Sequence, residues 1–261
     1  MKSGGWAIVT GASSGIGRAL AFEFAAGGFN VLLVSRNQAA LAEVAAECSS
    51  KYHVSTEVVT ANLSDSDSVD RLIAAILAKP VHYEVLVNNA GFGIHGDFVS
   101  TDIAQELQLL HVQLTASLKL TKAVLPGMVS NRKGRILNVA SVYGYSPVPY
   151  QSVYSACKAF LLSFSNSLRN EIEETGVTVT VFCPGITQSE FRKRAGISEK
   201  PSSGMSAEAA AKIAYTGTMT GKSVVIPGFS NRLFVFASRM VPGAVFARVV
   251  KRINRIRGVS R

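Results

Sequence analysis

The sequence has few cysteines, few charged residues and no long uninterrupted hydrophobic run. Its three cysteines, Cys48, Cys157 and Cys183, have neither metal-ligand spacing nor an even count. We therefore expect no disulfide scaffold and no metal site, and a reducing, cytoplasmic compartment. Charged residues make up only 17% of the chain and hydrophobic ones 48%, a composition typical of a folded domain and not of a disordered protein.

Targeting segments are not evident either. The first residues lead directly into a strand-like run, so we expect no signal peptide. The longest hydrophobic candidate, 233–247, is interrupted by Arg239 and Pro242, so we expect no transmembrane helix. A chain of 261 residues is long enough to bury one sizeable core.

Acidic residues are absent after Glu208. Of the 27 basic residues, ten follow this position, and the 17 before it balance the 17 acidic ones. The net charge of +10 therefore belongs entirely to the C-terminal fifth of the chain. The ten basic residues are Lys212, Lys222, Arg232, Arg239, Arg248, Lys251, Arg252, Arg255, Arg257 and Arg261.

Short apolar runs alternate with helical patterns over most of the chain. The runs predict strands at 6–10, 31–35, 55–63, 84–88, 135–141, 177–183 and 223–227, and the helical patterns occupy 15–27, 38–50, 66–79, 102–131, 150–174 and 206–220. Continuous Val, Ile and Leu runs are typical of strands covered on both faces. The sequence therefore predicts a single α/β Rossmann-fold domain over 1–228, with a doubly wound, parallel seven-stranded sheet and helices on both faces.

One loose segment, 188–205, is rich in Ser, Gly, Lys and Glu and follows the sixth strand. A doubly wound sheet opens its binding crevice at this edge. We interpret the segment as a mobile lid over a substrate; the alternative is an ordinary surface loop.

A glycine-rich turn joins the first strand to the first helix. Glycines permit a tight turn in which backbone N–H groups approach a pyrophosphate, and the helix N-terminus favours its negative charge. The turn predicts a dinucleotide site, and a purely structural turn is the alternative. The binding residues predicted here are Gly11, Ser13, Ser14, Gly15, Ile16 and Gly17.

The end of the second strand indicates which dinucleotide binds. An acidic residue there would bind the ribose 2′-hydroxyl of NAD(H), whereas an arginine accommodates the 2′-phosphate of NADP(H). Ser35 and Arg36 occupy this position. The sequence therefore favours NADP(H) over NAD(H), with a solvated arginine of no preference as the alternative.

Tyr154 and Lys158 lie four residues apart on a predicted helix, so they share a face. A separate apolar stripe on this helix, at 157, 161, 164 and 168, is expected to pack on the sheet. An ammonium group beside a tyrosine stabilises the phenolate, so we expect Lys158 to lower the pKa of Tyr154 and make it an acid–base group. Ser141, at the end of the fifth predicted strand, is expected to bind the substrate oxygen.

These residues identify a family resemblance. The glycine-rich turn Thr10–Gly17, Asn88-Asn89-Ala90-Gly91, Ser141, Tyr154-Ser155-Ala156-Cys157-Lys158 and Pro184-Gly185-Ile186-Thr187 resemble the motifs of the single-domain short-chain dehydrogenases/reductases. The resemblance extends from about residue 5 to 228 and includes the spacing between Ser141 and Tyr154.

The resemblance implies roles for the matching residues. Tyr154 would be the general acid in reduction and the base in oxidation, Lys158 would bind the nicotinamide ribose, and Ser141 would polarise the carbonyl. The resemblance further implies cofactor contacts from Asn89, Ala90, Gly91, Pro184, Gly185 and Thr187. It also implies a homo-oligomer, a dimer or tetramer, formed through the helices at 102–131 and 150–174.

The sequence departs from the family at two positions. Asn62, followed by Leu63, replaces the aspartate that usually ends the third strand near the adenine, and we expect only a modest loss of binding. Gln113 stands where the family has an asparagine thought to hold a proton-relaying water. The added methylene displaces its amide, and we expect a slower reaction.

Two histidines, His95 and His111, have no partner at ligand spacing, so no metal is predicted. We interpret both as polar loop or helix residues. His95 follows the fourth strand, and the alternative is that it borders the substrate mouth.

The C-terminal extension, 229–261, mixes apolar and basic residues. From Phe246 onward, apolar residues at 246, 249, 250, 253 and 256 follow helical spacing, and 248, 251, 252 and 255 are basic. This pattern predicts a basic amphipathic helix that contacts a membrane surface or an acidic partner such as an acyl carrier protein. The alternative is a helix packed on its own domain. Without an accompanying motif, no nucleic-acid binding is expected.

The sequence thus predicts an NADPH-dependent oxidoreductase that interconverts a ketone and a secondary alcohol on a lipophilic or acyl substrate. The alternatives are a non-catalytic NADPH-binding regulator, which Gln113 would favour, and a membrane-surface protein that acts through its basic C-terminus. The fold alone does not choose the substrate.

Overall fold

The computed structural model describes residues 4–188, 191, 195 and 204–258, with side chains described up to residue 254. Nine strands are described: β1 (Trp6–Thr10), β2 (Asn30–Ser35), β3 (Thr56–Thr60), β4 (Tyr83–Asn88), β5 (Gly134–Val139), β6 (Val177–Phe182), β7 (Thr187–Gln188), β8 (Met205–Ser206) and β9 (Val224–Val225). The α-helices in this part of the chain are α1 (Gly15–Ala26), α2 (Gln38–Tyr52), α3 (Ser66–Leu77), α4 (Ile103–Leu110), α5 (Ala116–Ser130), α6 (Ser152–Glu171), α7 (Ala207–Met219), α8 (Phe229–Met240) and α9 (Gly243–Gly258).

The main sheet has seven strands in the order β3-β2-β1-β4-β5-β6-β9, and every neighbouring pair is parallel. Strand order reverses between β1 and β4, so the sheet is doubly wound and its binding crevice opens at that point. The predicted Rossmann fold is confirmed. A separate two-stranded pair, β7 with β8, was not anticipated from the sequence.

Alternate residues along the central strands face opposite layers. Ala7 and Val9 pack with α1, α2 and α7, whereas Ile8 packs with α3, α5 and α6. Both layers are apolar, which explains why the strands read as uninterrupted Val, Ile and Leu runs. Side-chain caps define several helix starts: Asn37, Asp65, Asp102 and Ser206 each accept a hydrogen bond from a backbone N–H in the first turn.

The observed boundaries differ from the predicted ones at several elements. The strand predicted over 55–63 is only Thr56–Thr60, and the one predicted over 135–141 ends at Val139. The helix predicted over 102–131 is divided into α4, a π-helical turn at His111–Thr115 and α5. Apolar periodicity continues through such a turn, so the sequence pattern did not reveal it.

The C-terminal extension forms two helices, α8 and α9, where the sequence pattern predicted one from residue 246. Phe246 and Val250 of α9 are buried against Val148 and against Phe234 of α8. The extension is therefore packed on the domain. Among the helices in the described part of the chain, none combines the length and hydropathy needed to cross a membrane.

Candidate active site

The glycine-rich turn lies against the end of β2. Gly11 and Gly15 have positive φ angles of 68° and 56°, which glycine adopts without steric cost. The backbone N–H groups of Gly11 and Ala12 donate to the Val34 carbonyl oxygen at 2.8 and 3.2 Å. The turn is thereby held beside Ser35 and Arg36, the residues that follow Val34.

The N-terminus of α1 is open toward this turn. Ser14 is the N-cap, but its side chain makes no capping hydrogen bond, and the first turn of the helix contains no acidic residue. The first-turn N–H groups and the helix dipole therefore favour an anion at this point. These features fit the pyrophosphate of a dinucleotide, which Gly11, Ser13, Ser14, Gly15, Ile16 and Gly17 are predicted to bind.

Thr10, which was not among the predicted site residues, joins the turn to the end of β4. Its Oγ1 accepts hydrogen bonds from the Asn89 and Ala90 backbone N–H groups at 3.0 and 3.1 Å and donates to the Val87 carbonyl oxygen at 3.0 Å. The Asn89 side chain donates to the Thr10 carbonyl oxygen at 2.8 Å. Asn89, Ala90 and the adjacent Gly91 are thus fixed beside the first glycine. The sequence signal for this role of Thr10 was its position immediately before the first glycine of the turn, Gly11.

The residues predicted on the adenosine side differ in environment. Arg36 and Asn62 are exposed, and Leu63 is buried. Asn62 Oδ1 accepts hydrogen bonds from the Ser64 backbone N–H at 3.3 Å and from the Ser64 hydroxyl at 2.8 Å. The side-chain oxygen of Asn62 is therefore already hydrogen-bonded within the chain, and its Nδ2 can only donate a hydrogen bond.

Ser141, Tyr154 and Lys158 come together at the carboxyl end of β5. Ser141 lies beyond the strand and caps the short 3₁₀ helix Val142–Tyr145, and its Oγ accepts from the Tyr143 backbone N–H at 3.2 Å. Tyr154 and Lys158 project from the first half of α6 and are both almost fully buried. The Lys158 Nζ atom lies 5.5 Å from the centre of the Tyr154 ring.

Burial raises the pKa of Tyr154 above its ordinary value, and a hydrogen bond with the Ser141 side chain acts in the opposite direction. Burial also lowers the pKa of Lys158, to about 8. Lys158 is not among the groups that shift the pKa of Tyr154, and desolvation of the phenolate is the largest cause, so the lowering of this pKa expected from Lys158 is not seen in this structure.

Gln113 lies at the centre of the π-helical turn His111–Thr115 and is 1% exposed. Its Nε2 donates to the Phe92 carbonyl oxygen at 2.9 Å, while its Oε1 is buried with no hydrogen-bond partner among the described residues. The π turn inserts an extra residue into the helix, which shifts the position of the longer amide relative to a regular helix. The effect of this residue on the rate stays a prediction.

Apolar side chains surround Tyr154. Leu109, Cys157, Phe92, Ile94 and Val153 belong to the same cluster. Phe191, from the segment predicted as a lid, lies with its ring centre 5.6 Å from that of Tyr154. A β-carbon on Gly93 would come within 3.0 Å of the Phe191 ring and 3.3 Å of the Ala195 Cβ. These two residues of the segment lie over the site; the mobility predicted for 188–205 concerns mainly residues outside the described ones.

The Pro184-Gly185-Ile186-Thr187 segment lies next to Ser141. The Val142 backbone N–H donates to the Pro184 carbonyl oxygen at 3.1 Å, and Ser141 Oγ donates to the same oxygen at 3.4 Å. A β-carbon on Gly185 would lie 2.1 Å from Asn231 Oδ1. Thr187 begins β7. Asn231 belongs to α8, and the sequence did not single it out. Its contact with Gly185 brings the C-terminal extension against the predicted nicotinamide side of the site.

A chain of buried polar side chains supports the sheet behind the site. Asn88 Nδ2 donates to Thr121 Oγ1 at 3.1 Å and to Asn138 Oδ1 at 2.9 Å, and Asn138 Nδ2 donates to Ser165 Oγ at 2.8 Å. The network links β4, β5, α5 and α6. The motif Asn88-Asn89-Ala90-Gly91 was evident in the sequence, but the partners of Asn88 were not.

His95 is half-buried beside Tyr150, with the ring centres 5.9 Å apart. Both ring nitrogens are buried with no hydrogen-bond partner among the described residues, and burial lowers the pKa of the imidazole while Asp97 opposes the shift. The Tyr150 backbone, which has a φ of 69°, accepts a hydrogen bond from the Gly96 N–H.

Curated relatives of the chain include several reductases. A very-long-chain 3-oxoacyl-CoA reductase of Laccaria bicolor is 40% identical over 207 residues, covering 77% of this chain and 61% of that protein. A protein of the same description from Bos taurus is 36% identical, covering 73% and 62%. The chain thus spans less than two thirds of the length of these relatives. Dehydrogenase/reductase SDR family member 7B of Mus musculus is 30% identical, covering 96% of this chain and 81% of that protein.

Solved structures share the fold over nearly their whole length. A short-chain dehydrogenase from Sphingobium yanoikuyae in complex with NADPH has a TM-score of 0.83 at 30% identity, covering 90% of this chain and 93% of that one. A 7β-hydroxysteroid dehydrogenase has a TM-score of 0.86 at 26% identity, covering 96% and 98%. The profile of the family described as short chain dehydrogenase matches residues 5–201. The chain belongs to the short-chain dehydrogenase/reductase family.

Proposed function

We propose that the protein uses NADPH to reduce the 3-oxo group of a lipophilic acyl thioester to a secondary alcohol. The observation that carries the proposal is the convergence of Ser141, Tyr154 and Lys158 at one end of β5, beside a cluster of apolar side chains that includes Tyr154. Because Tyr154 has a raised pKa, its hydroxyl stays protonated at neutral pH and is ready to act as an acid.

The residues divide the reaction between them. Ser141 and Tyr154 donate hydrogen bonds to the substrate oxygen and hold the carbonyl in place. NADPH, when bound, supplies the hydride to the carbonyl carbon. Tyr154 gives its hydroxyl proton to the oxygen, so the substrate gains one hydride and one proton. The Lys158 ammonium stabilises the resulting phenolate until a proton from solvent restores the hydroxyl. The reverse sequence oxidises an alcohol.

NADPH is the preferred cofactor in this proposal because of Arg36. The hydrogen bonds from Gly11 and Ala12 to Val34 join the glycine-rich turn to the end of β2, and the exposed Arg36 that follows is available to pair with a 2′-phosphate. Ser35 supplies no negative charge to repel it. Its hydroxyl accepts a hydrogen bond from the Asn37 backbone N–H at 3.1 Å.

The apolar lining around Tyr154 supports a lipophilic substrate. Phe92, Ile94, Leu110, Leu114 and Val153 all lie in this cluster together with Phe191. Removing a hydrocarbon chain from water against such residues is favourable by about 0.8 kcal/mol per methylene. The Laccaria and Bos relatives are described as 3-oxoacyl-CoA reductases, which supports a 3-oxoacyl thioester as the lipophilic substrate.

Initial-rate measurements of NADPH oxidation test the proposal. The substrates are 3-oxoacyl-CoA esters of increasing chain length, steroid ketones and small hydrophilic ketones. We expect the highest kcat/KM with the long acyl esters and a loss of about a thousandfold or more in Tyr154→Phe. Turnover confined to small hydrophilic ketones would contradict the substrate class. Binding of NADPH with no turnover on any substrate would instead favour the non-catalytic regulator.

Cofactor preference has its own experiment. Arg36→Ala is expected to weaken NADPH binding by about tenfold to a hundredfold and leave NADH binding unchanged, because only the 2′-phosphate contact is lost. Arg18→Ala is the matched control: Arg18 also lies beside the glycine-rich turn, but its guanidinium is paired with Glu47 at 2.8 Å. Equal loss of affinity for both cofactors in Arg36→Ala would count against the assignment.

Association into a dimer or tetramer through α4, α5 and α6 is part of the proposal. Leu107, Leu118 and Phe160 on these helices have exposed side chains that a second copy would cover. Sedimentation velocity would measure the assembly. The cytoplasmic location expected from the sequence stays a prediction.

A further inference from the structure

The C-terminal helix pair, α8 and α9, has two apolar faces, and only one of them is covered. On the inner face, the Phe234 and Phe246 rings lie 5.2 Å apart and pack with Val148 and Val250. Asn254 Nδ2 donates to the Pro149 carbonyl oxygen at 3.2 Å. This face attaches the pair to the domain and leaves other apolar side chains of both helices exposed.

An apolar row on α8 remains exposed. Phe229, Leu233, Phe236 and Met240 follow helical spacing along one side of the helix and are 80%, 55%, 62% and 69% exposed. Large side chains exposed in a contiguous row mark an interaction surface, whereas single exposed residues do not.

A second row continues on α9. Val245, Val249 and Ile253 are each one turn apart and are 47%, 53% and 40% exposed. Met240 is the last residue of α8 and Val245 lies in the first turn of α9, with Val241 and Pro242 between the two helices. The two rows together are here called the outer strip.

Positive charge accompanies the outer strip. Arg232 on α8 and Arg248, Lys251 and Arg252 on α9 are exposed, and none of the ion pairs found among the described residues involves them. No acidic residue follows Glu208 in the sequence. The surface therefore combines hydrophobic side chains with unneutralised cations.

The charge decides between the occupants of this surface. A second copy of the chain in a twofold interface would bring the same cations against each other, which is unfavourable. An anionic lipid surface satisfies both features, because acyl chains accept the apolar rows and headgroup phosphates accept the cations. We propose that the C-terminal helix pair is a peripheral anchor that lies flat on an anionic bilayer, with the outer strip in the acyl-chain boundary. This proposal is independent of the reductase activity.

Co-sedimentation of the full-length protein with vesicles tests the anchor. The vesicles contain phosphatidylcholine alone or mixed with phosphatidylserine. We expect binding to the mixed vesicles that weakens with added salt. Phe236→Ser with Met240→Ser is expected to lower the partition coefficient by about tenfold or more through lost apolar burial. Arg248→Gln with Lys251→Gln is expected to lower it by about tenfold on the mixed vesicles only.

Two control variants are matched to these changes. Phe98→Ser with Val99→Ser removes side chains that are 63% and 94% exposed but lie between Asp97 and Asp102. Lys51→Gln with Lys122→Gln removes two exposed cations elsewhere. Both are expected to bind like the wild type.

Three outcomes overturn the proposal. The first is no binding to mixed vesicles, and the second is an equal loss of binding in the control variants. The third concerns assembly: the wild type is dimeric by sedimentation velocity and does not bind vesicles, and the variant Phe236→Ser with Met240→Ser is monomeric. That result would assign the outer strip to a second copy of the chain.

Discussion

Lys158 reaches from α6 to the last residue of β5, where its Nζ donates a 2.8 Å hydrogen bond to the carbonyl oxygen of Val139. This partner is a neutral carbonyl, the side chain is buried, and none of the ion pairs found within the described part of the chain involves Lys158. Desolvation therefore lowers the pKa of Lys158 to about 8. The same bond fixes the ammonium beneath the Tyr154 ring, which makes the protonation of Lys158 relevant to catalysis.

The two pKa shifts predict opposite pH dependences for the two reaction directions. Lys158 is cationic below a pH of about 8 and loses its charge above it, while Tyr154, whose pKa is raised, stays protonated. We expect kcat/KM for reduction to be level at neutral pH and to fall above about 8, and the oxidation rate to rise with pH because oxidation requires the phenolate. Initial rates in both directions between about pH 6 and pH 10 measure this.

His95→Gln is the control for that profile. Burial lowers the pKa of His95, so its titration would cause an inflection on the acid side of neutrality. The reduction profile should be unchanged in this variant. A wild-type inflection below neutrality that disappears in His95→Gln would assign the titration to the histidine and not to Lys158.

We expect Gln113 to stabilise the fold through its hydrogen bond to the Phe92 carbonyl oxygen. Asparagine at this position is one methylene shorter and loses the 2.9 Å bond to the Phe92 carbonyl oxygen. We expect Gln113→Asn to destabilise the fold by about 1 kcal/mol, since the partly buried Phe92 carbonyl oxygen loses its side-chain donor. Thermal unfolding measures this. Gln108→Asn, an exposed position in α4, makes the same chemical change and should have no effect. Unaltered stability in Gln113→Asn would mean that the shorter side chain finds another partner.

Phe191 is expected to determine preference for long substrates. Phe191→Ala removes the ring that lies beside Tyr154 and Gly93, and should lower kcat/KM for a long acyl substrate by about tenfold with less effect on a short one. Phe98→Ala removes a phenylalanine that is 63% exposed and lies outside the cluster around Tyr154, and it serves as the control. A uniform decrease for all chain lengths would indicate a general effect on Tyr154 instead.

The buried amide network is expected to contribute to stability. Asn138→Ala removes one hydrogen bond from each of the buried side chains Asn88 and Ser165, which keep their bonds to Thr121 and to the Leu161 carbonyl oxygen, so the free energy of unfolding should fall by about 1–3 kcal/mol. Ser165→Ala should cost less, about 1 kcal/mol. Urea denaturation of both variants and of the double variant measures their coupling, and strictly additive losses would show that the two residues do not act as one network.

Much of the fold followed from local sequence patterns. Runs such as that at Val31–Ser35 predicted buried parallel strands because hydrophobic periodicity and strand length are local properties. The glycine-rich turn and the four-residue spacing of Tyr154 and Lys158 likewise follow from backbone geometry within one or two turns of chain. The division of the predicted helix 102–131 into two helices could not be read from local sequence patterns, since the π turn at His111–Thr115 leaves the apolar periodicity nearly unchanged.

The sequence by itself determined the Rossmann architecture, the positions of the site motifs and the accumulation of positive charge at the C-terminus. Only the tertiary structure decided that burial raises the pKa of Tyr154, that Lys158 bonds to Val139, that Phe191 and Asn231 lie at the site, and that one face of α8 and α9 stays exposed. The reason is physical: element type depends on residues close in sequence, whereas desolvation and exposure depend on which distant residues pack against each side chain.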